Sequence, residues 1–234
     1  MLCVLIVGKS LTQKIERKPK LKLGFCSFEA VKYACTKWHY SKSVPTGKLV
    51  KIGIWEDDKF VGCIVYGRGT NFNIGSPFGL GQDKVCELVR IACRKHHYPV
   101  TKYIAVSFKL LKQVHSGLEL VVRYADSSRG HHGGIYQGSN WIYTGASKTT
   151  GWKMGDKIAA NRGMKESWKD KAEKLTIYKH KYIMPFKNKD KYKRLSKKYP
   201  KHVEHESNAL NNQLRERGAV PTSMHQGNRG NSNV

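Results

Sequence analysis

Val50-Lys51-Ile52-Gly53-Ile54-Trp55-Glu56-Asp57-Asp58-Lys59-Phe60-Val61-Gly62-Cys63-Ile64-Val65-Tyr66 is the stretch on which the fold class turns. Val50, Ile52 and Ile54 recur every second residue, the period of a strand with one buried face. Four consecutive charged residues, Glu56 to Lys59, then mark a hairpin turn, and Phe60 to Tyr66 returns as a more fully buried strand. A glycine-rich stretch (Gly67, Gly69, Gly75, Gly79, Gly81) leads from it into a third strand, Val85 to Cys93. Pro99 opens a helix with Val100, Ile104, Phe108, Leu111 and Val114 on one face. Leu118 to Ala125 reads as a strand, Gly130 to Ser139 as a helix and Trp141 to Ala146 as a strand. On the other side of the hairpin, Leu21 to Cys26 is a short strand. Ser27 caps a helix whose apolar stripe is Phe28, Val31, Ala34, Cys35 and Trp38. Strand, helix, three antiparallel strands, helix, strand, helix, strand is a mixed α/β layer fold in which helices cover one sheet.

The chain has 234 residues, and 43 Lys and Arg against 17 Asp and Glu give it a formal charge of +26. That length predicts one large domain or one domain with an appendage. So large a positive surplus selects a polyanionic partner, nucleic acid above all. No apolar run reaches the roughly 20 residues of a membrane span; Leu2 to Val7 is also too short for a signal-peptide core. The expectation is a cytoplasmic protein with no membrane partner. None of the six cysteines (Cys3, Cys26, Cys35, Cys63, Cys86, Cys93) forms a CxxC pair, which argues for buried free thiols and against a zinc finger.

The charge is densest from Lys165 to Lys201, with 14 basic and 4 acidic residues. Trp168, Tyr178, Tyr182, Phe186, Tyr192 and Tyr199 are interleaved with them. Lysines such as Lys187, Lys189, Lys191 and Lys193, with Arg129 upstream, suit phosphates, while the aromatics suit stacking on bases. The other reading is a solvated tail whose aromatics pack back on the domain. The expected organisation is a catalytic domain over residues 1–164, a basic, aromatic-rich extension over 165–204 completing it, and a disordered tail over 205–234.

Polar residues collect at element ends. Trp38-His39-Tyr40-Ser41 leaves the first helix, where a histidine serves either as a dipole partner or as a catalytic group. Asp126 ends a strand, and a polar, glycine-flexible turn, Ser127 to Tyr136, follows it. Ligands of open α/β sheets bind outside the carboxyl ends of strands, so Asp126 stands where a site is expected. Adjacent His131 and His132 point different ways and read as an exposed turn. His39 with Asp126 is the better metal-ligand pair, to which Tyr40 or Tyr136 adds a hard oxygen.

Trp38-His39-Tyr40-Ser41, Glu87-Leu88-Val89-Arg90, Ala125-Asp126 with Gly130-His131, Ile135-Tyr136-Gln137 and Asn140-Trp141-Ile142-Tyr143-Thr144-Gly145 occur in this order. Together they resemble the Mom DNA-modification family of Mu-like phages over roughly residues 20–185. The resemblance implies a divergent GNAT acyltransferase fold, a mostly antiparallel mixed sheet flanked by helices, here with a basic C-terminal extension. It implies an enzyme that adds a small acetamido-type (carbamoylmethyl) group to the exocyclic amino group of adenine in double-stranded DNA, protecting phage DNA from restriction. It further implies iron held by His39, Tyr40 and Asp126, a small-molecule donor, and Tyr136 as the acid that protonates the leaving group. A GNAT protein also holds the pyrophosphate of an acyl-CoA on the amides of a glycine-rich loop. Arg90 to Pro99 has no glycine, which leaves Arg94 and Lys95 to hold phosphates by side chain or the donor to be something else. Two other functions stay open: an acyl-CoA-dependent acetyltransferase on protein or RNA amines, and a non-catalytic nucleic-acid-binding protein. The sequence leaves the oligomeric state open, with a homodimer as one reading.

Overall fold

The computed structural model describes residues 17–69, 73–155, 157–160 and 171–200. Cys3, Lys165, Trp168 and the 205–234 tail lie outside the described residues. The chain divides at Leu118 and Glu119 into two compact units.

The first unit holds β1 (Leu21–Phe25), α1 (Phe28–Trp38), β2 (Leu49–Glu56), β3 (Lys59–Gly67), β4 (Val85–Cys93) and α2 (Val100–Val114). Its strands lie in the order β1-β2-β3-β4, each antiparallel to the next. The expected hairpin is present: Asp57 and Asp58 take φ of 46° and 60°, the left-handed pair that a tight two-residue turn requires. Ser27 caps α1, its hydroxyl accepting from the Ala30 amide at 3.2 Å. Val31, Ala34 and Cys35 of α1 pack on Cys63 and Val65 of β3 and Ala92 of β4. Ser107 of α2 bonds the Tyr66 hydroxyl at 2.6 Å. Val65 and Tyr66 are successive residues, whose side chains leave opposite faces of a strand, so β3 has a helix on each side. That is why its sequence is apolar without alternation.

The buried face of α2 is Tyr103, Ile104, Ser107 and Leu111, while Val114 is 53% exposed. The apolar stripe was therefore misplaced by a fraction of a turn, because two of the buried residues are polar and find partners inside. Ser107 has Tyr66. Tyr103 donates its hydroxyl to Glu56 Oε1 at 2.5 Å. Glu56, itself only 8% exposed, also accepts from the amides of His97 (2.9 and 3.1 Å) and Tyr98 (3.0 Å), just ahead of α2.

The second unit holds β5 (Leu120–Asp126), α3 (Gly134–Gln137), β6 (Ile142–Met154), β7 (Lys157–Ala160), β8 (Glu173–Pro185) and α4 (Lys189–Lys193). Here the strand order is β5-β8-β6-β7. β8 runs antiparallel to both β5 and β6. One expectation is corrected here. The helix expected over Gly130 to Ser139 shrinks to the four residues of α3 behind a 3-10 turn, Ser127–Arg129. Gly130 and Gly133, with φ of 67° and 93°, are left-handed, so no helix passes through them. The basic, aromatic-rich stretch supplies β8, hydrogen-bonded on both sides, with Tyr182 and Ile183 fully buried. Among the described residues no helix is long and apolar enough to cross a membrane.

Burial alone would raise the Glu56 pKa, but the Tyr103 hydroxyl and the Tyr98 and His97 amides outweigh it and hold the carboxyl below its ordinary value of 4.5. Glu56 therefore adds stability that is fully present above that value and is lost as pH falls through the lower folded value. Glu56→Gln should cost about 1.5–3 kcal/mol near neutrality in denaturant titrations, and the gap to wild type should close in acid. An equal gap at all pH values would show that charge plays no part.

Candidate active site

Asp126 ends β5 directly opposite Lys179 of β8. Its Oδ2 forms an ion pair with Lys179 Nζ. Its Oδ1 accepts from the Ser128 amide at 3.0 Å and the Ser128 hydroxyl at 2.7 Å, which caps the 3-10 turn that follows. Burial pushes the carboxyl pKa up, but Lys179 and Ser128 more than offset that, so Asp126 stays ionised below its usual range. Alternation along β5 directs Arg123 and Ala125 to one face and Tyr124 and Asp126 to the other.

Arg123 faces Tyr182 across the ladder, and Tyr182 faces Tyr143. Tyr136 joins this group from α3. It is 4% exposed, and its hydroxyl accepts from Arg123 Nε at 2.9 Å. Its ring lies edge-on to Trp141 (centroids 5.3 Å) and against Tyr182 (5.4 Å). Tyr143 bonds His180 Nδ1 at 3.1 Å, and burial lowers the His180 pKa so that the ring favours its neutral form. Gly133 lets α3 approach: a Cβ there would overlap the Tyr182 ring. The expected acid Asp126 and the expected acid Tyr136 thus belong to two different clusters of one unit.

In the first unit, His39 is 6% exposed and follows the last residue of α1. Its Nδ1 accepts from the Ser41 amide at 3.1 Å and lies 2.8 Å from the Ser41 hydroxyl. An acceptor at Nδ1 places the proton of the neutral ring on Nε2. Tyr40, 48% exposed, lies against the His39 ring, the centroids 4.2 Å apart and the planes tilted by 35°. Arg94 and Lys95, beyond β4, are both exposed. Five described cysteines are free thiols, as expected.

Iron was implied at His39, Tyr40 and Asp126. Among the described residues no group of three or more His, Cys, Asp or Glu side chains could hold a metal ion. The Asp126 oxygens are moreover engaged by a cation and by Ser128. No step below passes through a metal.

Lys187, Lys189, Lys191 and Lys193 are exposed, the last three arrayed on α4 around the buried Tyr192. Arg129 is exposed and donates to the Ile158 carbonyl at 3.2 Å. Sequence reasoning missed Arg123 and Lys179. The signal for each was its place in a ladder register, which appears only once β8 is known to pair with β5.

The Mom protein family model matches residues 20–201. The methylcarbamoylase Mom of Escherichia phage Mu is 25% identical over 232 residues, covering 84% of this chain and 96% of that protein. Among solved structures, a putative acetyltransferase of Acinetobacter baylyi ADP1 is 12% identical, with a TM-score of 0.46 over 78% of this chain and 98% of that one. A probable acetyltransferase of Staphylococcus epidermidis is 10% identical, with a TM-score of 0.47 over 71% and 99%.

Lys179→Met tests the Asp126 cluster. With its cation gone, burial dominates, and the Asp126 pKa should rise above the ordinary 3.8 in an NMR titration of the carboxyl carbon. A value that stays below it would assign the stabilisation to Ser128 alone.

Proposed function

The chain belongs to the Mom protein family, and from that membership we propose that it is a DNA-modifying transferase that places a carbamoylmethyl group on the exocyclic amino group of adenine in double-stranded DNA. The observation that carries the reading is the family match across residues 20–201, which spans both units. The name of the phage Mu relative, a methylcarbamoylase, supports the group transferred. A modified adenine no longer fits host restriction endonucleases, so the product protects phage DNA in the host cytoplasm.

The physical demands of the reaction match what the chain offers. The adenine amino nitrogen is a poor nucleophile, because its lone pair is delocalised into the ring, and it is paired inside the duplex. Drawing the base out costs a few kcal/mol. Phosphate contacts offset that cost, and a net charge of +26 with exposed lysines at 187, 189, 191 and 193 supplies them. In the transfer the nitrogen forms a bond to the methylene carbon of the group and loses a proton, while the donor's leaving group departs. A leaving group needs an acid. Tyr136, whose oxygen accepts from Arg123 and whose own proton is thereby turned elsewhere, is assigned that role. Asp126, kept ionised, orders the loop between β5 and α3 and so sets where Tyr136 stands.

Nucleoside mass spectrometry of plasmid DNA from cells expressing the chain should show an adenosine species heavier by one carbamoylmethyl group. Unmodified DNA would overturn the reading. Tyr136→Phe keeps the packed ring and should lower modification by about 10²-fold with DNA binding intact, as expected for loss of a general acid. Changing Lys187, Lys189, Lys191 and Lys193 to Glu should flatten the dependence of DNA affinity on salt, and an unchanged slope would place the DNA surface elsewhere.

A further inference from the structure

We infer that the solvated face of the ribbon formed by β6 and β8 is a DNA-docking surface that enters the major groove beside the target adenine, in addition to the lysines of α4. This rests on the transferase reading above. The β5–β8 ladder runs from Lys179 to Pro185, whereas the β6–β8 ladder continues outward to Lys153 and Glu173. Past the end of β5 the two strands therefore run on as a ribbon, with β7 paired to β6 along Gly151 to Met154. Register sets Lys148 opposite Tyr178, Thr150 opposite Thr176 and Trp152 opposite Lys174, so these six side chains leave one face. Lys148, Lys174 and Thr176 are exposed, Tyr178 is 41% exposed, and Thr150 and Trp152 are half-buried. The opposite face is the packed one: Ile177 is 1% exposed, and a Cβ on Gly151 would overlap its side chain.

The solvated face has the make-up of a nucleic-acid surface. β6 contains no acidic residue, and the one acid of β8, Glu173, stands opposite Lys153 in the ladder and so belongs to the other face. Lys148 and Lys174 thus share their face with no carboxylate from either strand. The Lys148 ammonium lies 5.8 Å from the centre of the Tyr178 ring, so cation and aromatic are presented together. Four residue steps from Lys148 to Trp152 span about 14 Å, the length of about four phosphates along one DNA strand. The major groove of B-DNA admits a two-stranded β-ribbon, and threonine methyls and aromatic rings suit the thymine methyl groups displayed there. The adenine amino group is displayed in the same groove. The face also leads to the candidate site. Alternation continues it along β8 through His180 to Tyr182, and the Tyr136 ring lies against Tyr182 with centroids 5.4 Å apart. A duplex held along the ribbon is therefore delivered to the end of the sheet where the assigned acid stands.

Binding of the full chain to a short DNA duplex, read by fluorescence anisotropy from about 50 to 200 mM salt, tests this without any donor. Lys148→Gln and Lys174→Gln should each weaken binding and lower the salt slope by about 0.9, the share of one phosphate contact. Lys153→Gln, which alters an exposed lysine on the other face of the same ribbon, should leave both unchanged. Thr176→Lys adds a cation to the docking face and should raise the slope by a similar amount, a gain that misfolding does not produce. An equal effect from Lys153→Gln would reduce the result to net charge, and an unchanged slope in the other three variants would place the duplex elsewhere; either overturns the inference. An RNA duplex of the same length should be insensitive to these substitutions, because its A-form major groove is too narrow to admit a ribbon. The same losses on RNA would overturn groove docking. Since modification is not read, a lack of modified adenosine in cells bears on the transferase reading alone, while modified DNA together with unaltered slopes sinks only the ribbon.

Discussion

A strand's backbone groups must all find partners, and in the second unit it is β8 that joins β5 to β6. The two strands are not neighbours; each is hydrogen-bonded to β8, β5 along its whole length from Leu120 to Asp126. Everything chemical in that unit follows from this insertion. Register places Lys179 opposite Asp126 and Tyr182 opposite Arg123, so the ion pair and the aromatic cluster are both consequences of one ladder. Tyr182 in turn gives Tyr136 a ring to pack on and Gly133 its reason to be glycine.

A complementary economy governs the acids. The chain has 17 acidic residues for 43 basic ones, and several of them serve the protein's own backbone. Asp57 accepts from the Lys20 amide at 2.7 Å, Glu56 holds the amides ahead of α2, and Asp126 caps the turn after β5. Acids at such places tie loops to strand ends while leaving the excess of lysines at the surface.

The first unit was legible because its elements obey simple periods. Alternation gave β2, the charged turn gave the hairpin, Ser27 gave the start of α1, and β4 ran from Val85 to Cys93 as read. Where polar residues were buried, the reading slipped: Ser107 and Tyr103 lie inside because Tyr66 and Glu56 receive them, and nothing in a hydropathy pattern announces such partners. β8 was illegible for a different reason. Six residues from Lys174 to Pro185 are lysine, histidine or tyrosine, a composition that suggests a solvated arm. Only the buried neighbours on β5 and β6 make it a strand. The candidate site split in the same way: Asp126 and Tyr136 could be named from their positions at element ends, but not the strand faces that separate them.

The late position of β8 also bears on how the protein is made. Lys179 lies 53 residues beyond Asp126, so at ordinary synthesis rates β5 waits about three to ten seconds on the ribosome for its partner. Through that interval β5 and β6 both present open edges, the surfaces by which nascent chains associate wrongly. The second unit closes only when residues 173–185 have emerged, and a message cut short before them would yield not a shortened enzyme but an unpaired sheet. Emergence of residues 173–185 is thus the event that switches the second unit from a liability to a folded sheet.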